Sequence, residues 1–235
     1  MIDLNHPEIG LAVKMVEQAS HLAKQIQQEM VVPALAKDDS SPVTVADFAV
    51  QALVGRSLAE ALPEDPLVAE ESSDTLGSPE GQSILEQVIR SVGRIVPEAT
   101  GQEVYRWIDH GAQQPGPRFW TLDPIDGTKG FVRKDQYAVA LALVVEGRVQ
   151  IGVLGCPNLD EGALVVAVRD QGCWKAHLDG SWDFERLQVS EREDPGQARV
   201  LRSFESGHTH VSRMDELMTA LGVQAEPVRM DSQAK

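Results

Sequence analysis

The chain lacks most of what would mark it for a membrane, a nucleic acid or an oxidising compartment. Of 235 residues, two are cysteines, Cys156 and Cys173. They lack zinc-type spacing, so buried thiols are expected rather than a disulfide or a sulfur-based metal cage. The longest apolar run, Ala138 to Val145, falls far short of the ~20 residues a spanning helix needs, and the N-terminus has no basic-then-apolar leader. Basic side chains are outnumbered 21 to 36, giving a net charge of −15 that repels nucleic acid backbones and anionic membranes. Internal repeats and low-complexity tracts are missing too. What is left is a monomer of the cytoplasm, or a processed organellar form, whose partner is a small molecule. An acidic protein can still take a phosphorylated ligand if metal ions neutralise the site, because local charge decides.

The chain is long enough to bury a sizeable core and its composition is that of a globular protein. Asn5-His6-Pro7 opens a helix in which Ala12, Met15, Val16, Ala19, Leu22, Ala23 and Ile26 recur at helical spacing until Pro33. Thr44 starts a second helix, running toward Pro63. Leu67 to Ala69 form a brief strand ending in Glu70-Glu71, followed by a polar segment from Ser72 to Arg118 with one helix, Ser83 to Val96. Tyr137–Val145 and Val149–Leu154 flank Glu146-Gly147 as a hairpin, and Ala163–Val168 and Cys173–Ala176 continue an antiparallel sheet. Arg199–Ser203, Val211–Leu221 and Pro227–Met230 read as strand, helix and strand, the start of a second α/β unit. The expected boundary lies near Cys156-Pro157, with an N-terminal α+β domain over 1–156 and a second α/β domain over 157–235.

Chemistry concentrates at residues 120 to 131, Trp-Thr-Leu-Asp-Pro-Ile-Asp-Gly-Thr-Lys-Gly-Phe. An apolar strand, Phe119 to Leu122, delivers Asp123 and Asp126 to a turn where both carboxylates can face one point. Two converging carboxylates suit a hard cation such as Mg2+. Pro124 stiffens the chain and leaves the Ile125 carbonyl to point inward, Gly127 permits close backbone approach, and Thr128 adds a hydroxyl. Asp-Pro and Asp-Gly are also ordinary turn dipeptides, and Asp126 or Thr128 could simply cap a helix. Thr44-x-x-Asp47 is likewise close to a capping box.

The continuous string Asp123-Pro124-Ile125-Asp126-Gly127-Thr128 resembles the signature of the inositol monophosphatase superfamily of Mg2+-dependent, lithium-sensitive phosphatases. Val68-Ala69-Glu70-Glu71-Ser72 and the stretch from Lys37 to Asp47 are similar to two further elements of it. The resemblance implies an αβαβα sandwich, a largely antiparallel sheet flanked by helices, with Glu70, Asp123, the Ile125 carbonyl and Asp126 holding two or more Mg2+ ions. It implies that Asp47, Glu70 and Thr128 serve catalysis, Asp47 and Thr128 by orienting the attacking water, and that the amides of Gly127 and Thr128 cradle phosphate.

Asp123 follows Glu70 by 53 positions, an insertion that resembles the 3′(2′),5′-bisphosphate nucleotidase branch. Glu205-Ser206-Gly207-His208-Thr209 and Met230-Asp231-Ser232-Gln233-Ala234-Lys235 are similar to elements lining that branch's nucleotide pocket, which implies substrate contacts for His208, Ser232 and Lys235. The implied reaction is Mg2+-dependent removal of the 3′-phosphate of adenosine 3′,5′-bisphosphate, with the phosphosulfate of sulfur assimilation as second substrate. The alternatives are an inositol polyphosphate 1-phosphatase or inositol monophosphatase, and a catalytically impaired nucleotide-binding fragment. The last follows from the absence of the superfamily's later Trp-Asp-x-Ala-Ala-Gly element: the chain reads as C-terminally truncated, its second lobe incomplete, and Trp182-Asp183, followed by Phe-Glu-Arg, as a decoy.

Overall fold

The computed structural model describes residues 2–29, 42–203, 211–232 and 234. Helix α1, Pro7–Glu29, buries every one of the apolar positions expected of it. Helix α2, Pro42–Ala61, starts two residues before Thr44, because proline is tolerated in a first turn where its missing N–H has no partner to lose. Thr44 is therefore not an N-cap, and Asp47 stands in the body of the helix. From Val45 to Val54 every residue of α2 is buried, as expected of a helix enclosed by neighbours rather than lying on a surface.

Strand β1, Leu67–Val68, runs parallel to β2, Arg118–Asp126; between them lie a short 3-10 turn at Ser73–Gly77, α3 at Pro79–Val92 and α4 at Gly101–Asp109. The single helix expected in this insertion is two. Beyond β2 come the short helix α5, Thr128–Arg133, and an antiparallel meander of β3 (Ala138–Val145), β4 (Arg148–Cys156), β5 (Ala163–Val168), β6 (Gly172–His177) and β7 (Glu185–Leu187). The seven strands form one sheet in the order β1-β2-β3-β4-β5-β6-β7. The β3–β4 turn places Glu146 and Gly147 at φ 49° and 70°, the left-handed pair that a tight hairpin requires.

Helix α1 packs across β3 and β4, and α2 lies against β2. Val139, Leu141 and Leu143 face these helices and are buried, while Ala140 and Ala142 point to the other face and stay partly open. The period of two along β3 thus sets which side carries the core. The sheet runs unbroken past Cys156-Pro157 as far as Leu187. The change of sheet comes later, at β8 (Leu201–Arg202), which pairs in parallel with β9 (Val228–Arg229) and is joined to it through α6 (Val211–Ala220). No helix among the described residues is long and apolar enough to cross a membrane.

Candidate metal and phosphate site

Because β1 and β2 are parallel, their carboxyl ends open in the same direction. Leu67 is level with Trp120 and Val68 with Thr121; the chain leaves the sheet after Val68, and the charge of Glu70 acts on Asp123 from just beyond the strand end. Asp123 and Asp126 do not lie in a turn beyond the strand, as the sequence suggested. Both belong to β2, Asp123 paired with Ala140 and Asp126 with Ala138, and the register slips between them. Pro124 sits inside that irregularity, where a residue that cannot donate to the ladder is accommodated.

The electrostatics show which side chains share one space. Asp47 is buried, and its carboxyl is pushed up to about 8, first by desolvation and then by the negative charges of Glu71, Glu70 and Asp123. Asp123, although exposed, is pushed to about 6 by partial loss of water, by Asp126 and by Glu70, against a lowering hydrogen bond from the Ile125 amide. Glu71 is raised by desolvation and by Glu70. The charges acting on these three groups are all negative. Burial disfavours a lone carboxylate and neighbouring carboxylates disfavour it further, a cost that a bound cation would relieve. Its oxygen donors suit Mg2+ or a similar hard ion. Among the described residues no group of three or more His, Cys, Asp or Glu side chains stands close enough together to hold a metal ion; the carboxylates form an open, mutually repelling set.

The Ile125 carbonyl is not free, since the Thr128 hydroxyl donates to it at 3.3 Å. With its proton so engaged, Thr128 Oγ1 keeps its lone pairs as acceptors. Gly127, at φ 89°, precedes α5 without a side-chain cap. A Cβ there would lie 3.1 Å from that of Ser232 and adopt a strained backbone, so the turn admits glycine. Ser232 is fully buried under this turn, its hydroxyl donating to Gln136 Oε1 at 2.6 Å and accepting the Ala234 amide at 3.1 Å. It is thus near the phosphate-cradling turn, with its hydroxyl engaged in holding the chain there. His208 and Lys235 lie outside the described residues. Trp182 donates its indole N–H to Glu17 at 3.1 Å, a structural contact on α1.

Residues that sequence reasoning passed over support this frame. Gln51, one turn after Asp47 on α2, is fully buried and holds the Glu71 peptide: its Oε1 accepts from the Glu71 amide at 2.9 Å and its Nε2 donates to the Glu71 carbonyl at 2.7 Å. Asp109 accepts from the amide and hydroxyl of Ser73 at 3.1 and 2.8 Å. Gln27 of α1 donates to the Phe131 carbonyl at 2.8 Å, and Asn158 bridges Gln27 to the Asp135 carbonyl, anchoring α5 from behind. A lone glutamine in the apolar run Phe-Ala-Val-Gln-Ala-Leu-Val is a readable signal; the others pair with partners distant in sequence and give none.

Fold and cluster together define a class: mixed α/β proteins with carboxylates grouped near the carboxyl ends of a parallel strand pair. Residues 6–235 match the profile described as the Inositol monophosphatase family, and the chain belongs to that family. It is similar to a protein of Arabidopsis thaliana named 3′(2′),5′-bisphosphate nucleotidase 1, 38% identical over 97% of this chain and 73% of the relative. It is also similar to one of Candida albicans named 3′(2′),5′-bisphosphate nucleotidase 2, 36% identical over 98% and 75%. Among solved structures it shares its fold with the Thermotoga maritima IMPase, at a TM-score of 0.62 and 18% identity, covering 97% of this chain and 69% of that one. CysQ from Bacteroides thetaiotaomicron, described as a bacterial member of the inositol monophosphatase family, gives 0.58 at 20% identity over 94% and 71%.

Proposed function

We propose that the protein is a Mg2+-dependent phosphomonoesterase that removes the 3′-phosphate of adenosine 3′,5′-bisphosphate, yielding AMP and phosphate, and acts on the corresponding phosphosulfate. The observation that supports this reading is the electrostatic coupling of Asp47 and Asp123 to Glu70, and of Asp123 to Asp126, near the carboxyl ends of β1 and β2. The names of the relatives, at 36–38% identity over nearly the whole chain, support the substrate class. Glu70, Asp123, Asp126 and the Ile125 carbonyl would hold two or more ions. When bound, such ions neutralise the cluster, polarise the ester phosphate and acidify a water molecule.

The chain's own residues have separate tasks. Asp47 would accept a hydrogen bond from the attacking water, and Thr128 Oγ1, its proton already given to Ile125, would accept a second and fix the direction of attack. Glu70 joins the catalytic set through the same cluster. The uncapped amides following Gly127 would donate to the phosphate oxygens. His208, Ser232 and Lys235 would line the nucleotide side, Ser232 by holding the Gly127 turn. The free thiols Cys156 and Cys173 suit a reducing compartment such as the cytoplasm, and we expect a monomer, inhibited by lithium.

Substrate class is tested by comparing kcat/KM for adenosine 3′,5′-bisphosphate, inositol 1,4-bisphosphate and inositol 1-phosphate at saturating Mg2+. The nucleotide should lead. Faster turnover of an inositol phosphate would reassign the pocket while leaving the metal cluster in place, and tight nucleotide binding without phosphate release would identify an impaired nucleotide-binding protein.

A further inference from the structure

We infer that Gln51 is a positioning residue of the site, fixing the Glu71 peptide and, through it, where the Glu70 carboxylate stands relative to Asp47. The inference rests on the cation-dependent reading above. Strand β1 ends at Val68, so the segment carrying Glu70 leaves the sheet almost at once. Its Ala69 amide is taken up by the Gly111 carbonyl at 2.7 Å. At Glu71 the main-chain N–H and C=O both go to the amide of Gln51, as they would to a neighbouring strand. The second Nε2 hydrogen of Gln51 is given to the Ile108 carbonyl at 2.9 Å, so the amide ties α2, the Glu71 peptide and the end of α4 at one point.

Gly111 supplies an independent observation. A Cβ on it would stand 2.6 Å from Gln51 Nε2 and 3.0 Å from Ala69 Cβ, so the space beside the clamp is kept for the amide alone. Two residues beyond Glu71, Ser73 gives its amide and hydroxyl to Asp109, and the segment is held at both ends. Such restraint has a use here: carboxylates that repel one another keep a fixed spacing only when their backbone is held. Gln51 lies four residues after Asp47, on the same helical face, so a single rigid helix presents one site carboxylate and grips the peptide next to another.

Gln51→Met keeps the side chain's length and removes its amide. Gln51→Glu keeps an oxygen for the Glu71 N–H and removes both Nε2 donors. Val54→Ala, on the same helix and away from the clamp, controls for general loss of packing. The readouts are the Mg2+ concentration that half-saturates the thermal shift of the folded protein, and kcat and KM for adenosine 3′,5′-bisphosphate. Both Gln51 variants should raise half-saturating Mg2+ by about tenfold or more, the usual effect of losing a group that orients a metal ligand. They should lower kcat more than they change KM, while Val54→Ala lowers Tm with wild-type Mg2+ dependence. Folded Gln51 variants with wild-type half-saturation would overturn the inference, as would Mg2+ dependence that merely follows Tm across all three. If neither Gln51 variant folds, Gln51 belongs to the stability of the core and the inference is likewise overturned. A wild-type protein indifferent to Mg2+ would instead refute the functional reading on which the inference stands.

Discussion

Asp47 is held in a form its chemistry resists, a buried carboxyl among three other acids. Its pKa is raised from the ordinary 3.8 to about 8, so between those values the folded, metal-free state carries more protons than the unfolded chain. Stability is then highest at low pH within this window and falls as pH rises toward about 8; Asp123, raised to about 6, acts in the same sense. Metal-free protein should therefore melt at a lower temperature at pH 8 than at pH 5. Asp47→Asn should flatten that slope and raise Tm at pH 8 while abolishing turnover. Thermal melts at the two pH values in the presence of a chelator check this, and a variant less stable than wild type at pH 8 would count against the crowding of acids described above. Asp65 behaves oppositely. Hydrogen bonds from Arg118 hold its carboxyl below the usual range, so its contribution is complete above the unfolded pKa and is lost as pH falls through the folded one. Asp65→Asn should lower Tm at neutral pH and shrink the further loss on acidification.

At the scale of elements, α4 is held by a full capping box, with Thr100 Oγ1 accepting from the Glu103 amide and the Glu103 carboxylate accepting from the Thr100 amide. Thr100→Ala should cost about 0.5–2 kcal/mol, a drop of ~2–4 °C in Tm per kcal/mol for a domain of this size, measurable by calorimetry. Because α4 carries Asp109 and the Ile108 carbonyl to the site, the same variant tests how far the insertion supports the metal segment. This helix was readable from Thr100-x-x-Glu103, yet the surrounding glycines and prolines suggested loop. Helix α1 and the β3–β4 hairpin were legible because their signals are local: an apolar stripe at helical spacing, and Glu-Gly between two apolar runs. The slip of register at Asp123–Asp126 and the grip of Gln51 on Glu71 were not, since each is decided by a partner distant in sequence. β7 was missed because Glu-Arg-Leu is exposed throughout and shows no apolar alternation. The family signature sets Asp123 and Asp126 three positions apart; the path of the chain beyond β1, held by Gly111 and Gln51, is what carries Glu70 toward them.

For the molecule as a whole, a net charge of −15 and a cluster of acids at one sheet end make cation binding and stability one problem. A cation that binds the deprotonated cluster competes with protons and stabilises the folded state by mass action, so Mg2+ should raise Tm more at pH 8 than at pH 6. An equal shift at both would separate the stabilisation from these carboxylates. The most direct measurement is phosphate release from adenosine 3′,5′-bisphosphate with Mg2+ and with chelator, run beside Asp126→Asn. Turnover that requires Mg2+ and falls at least about a hundredfold in the variant is the predicted result. Turnover that survives chelation or the loss of the Asp126 carboxylate, or none in wild type at any Mg2+ concentration, would contradict it.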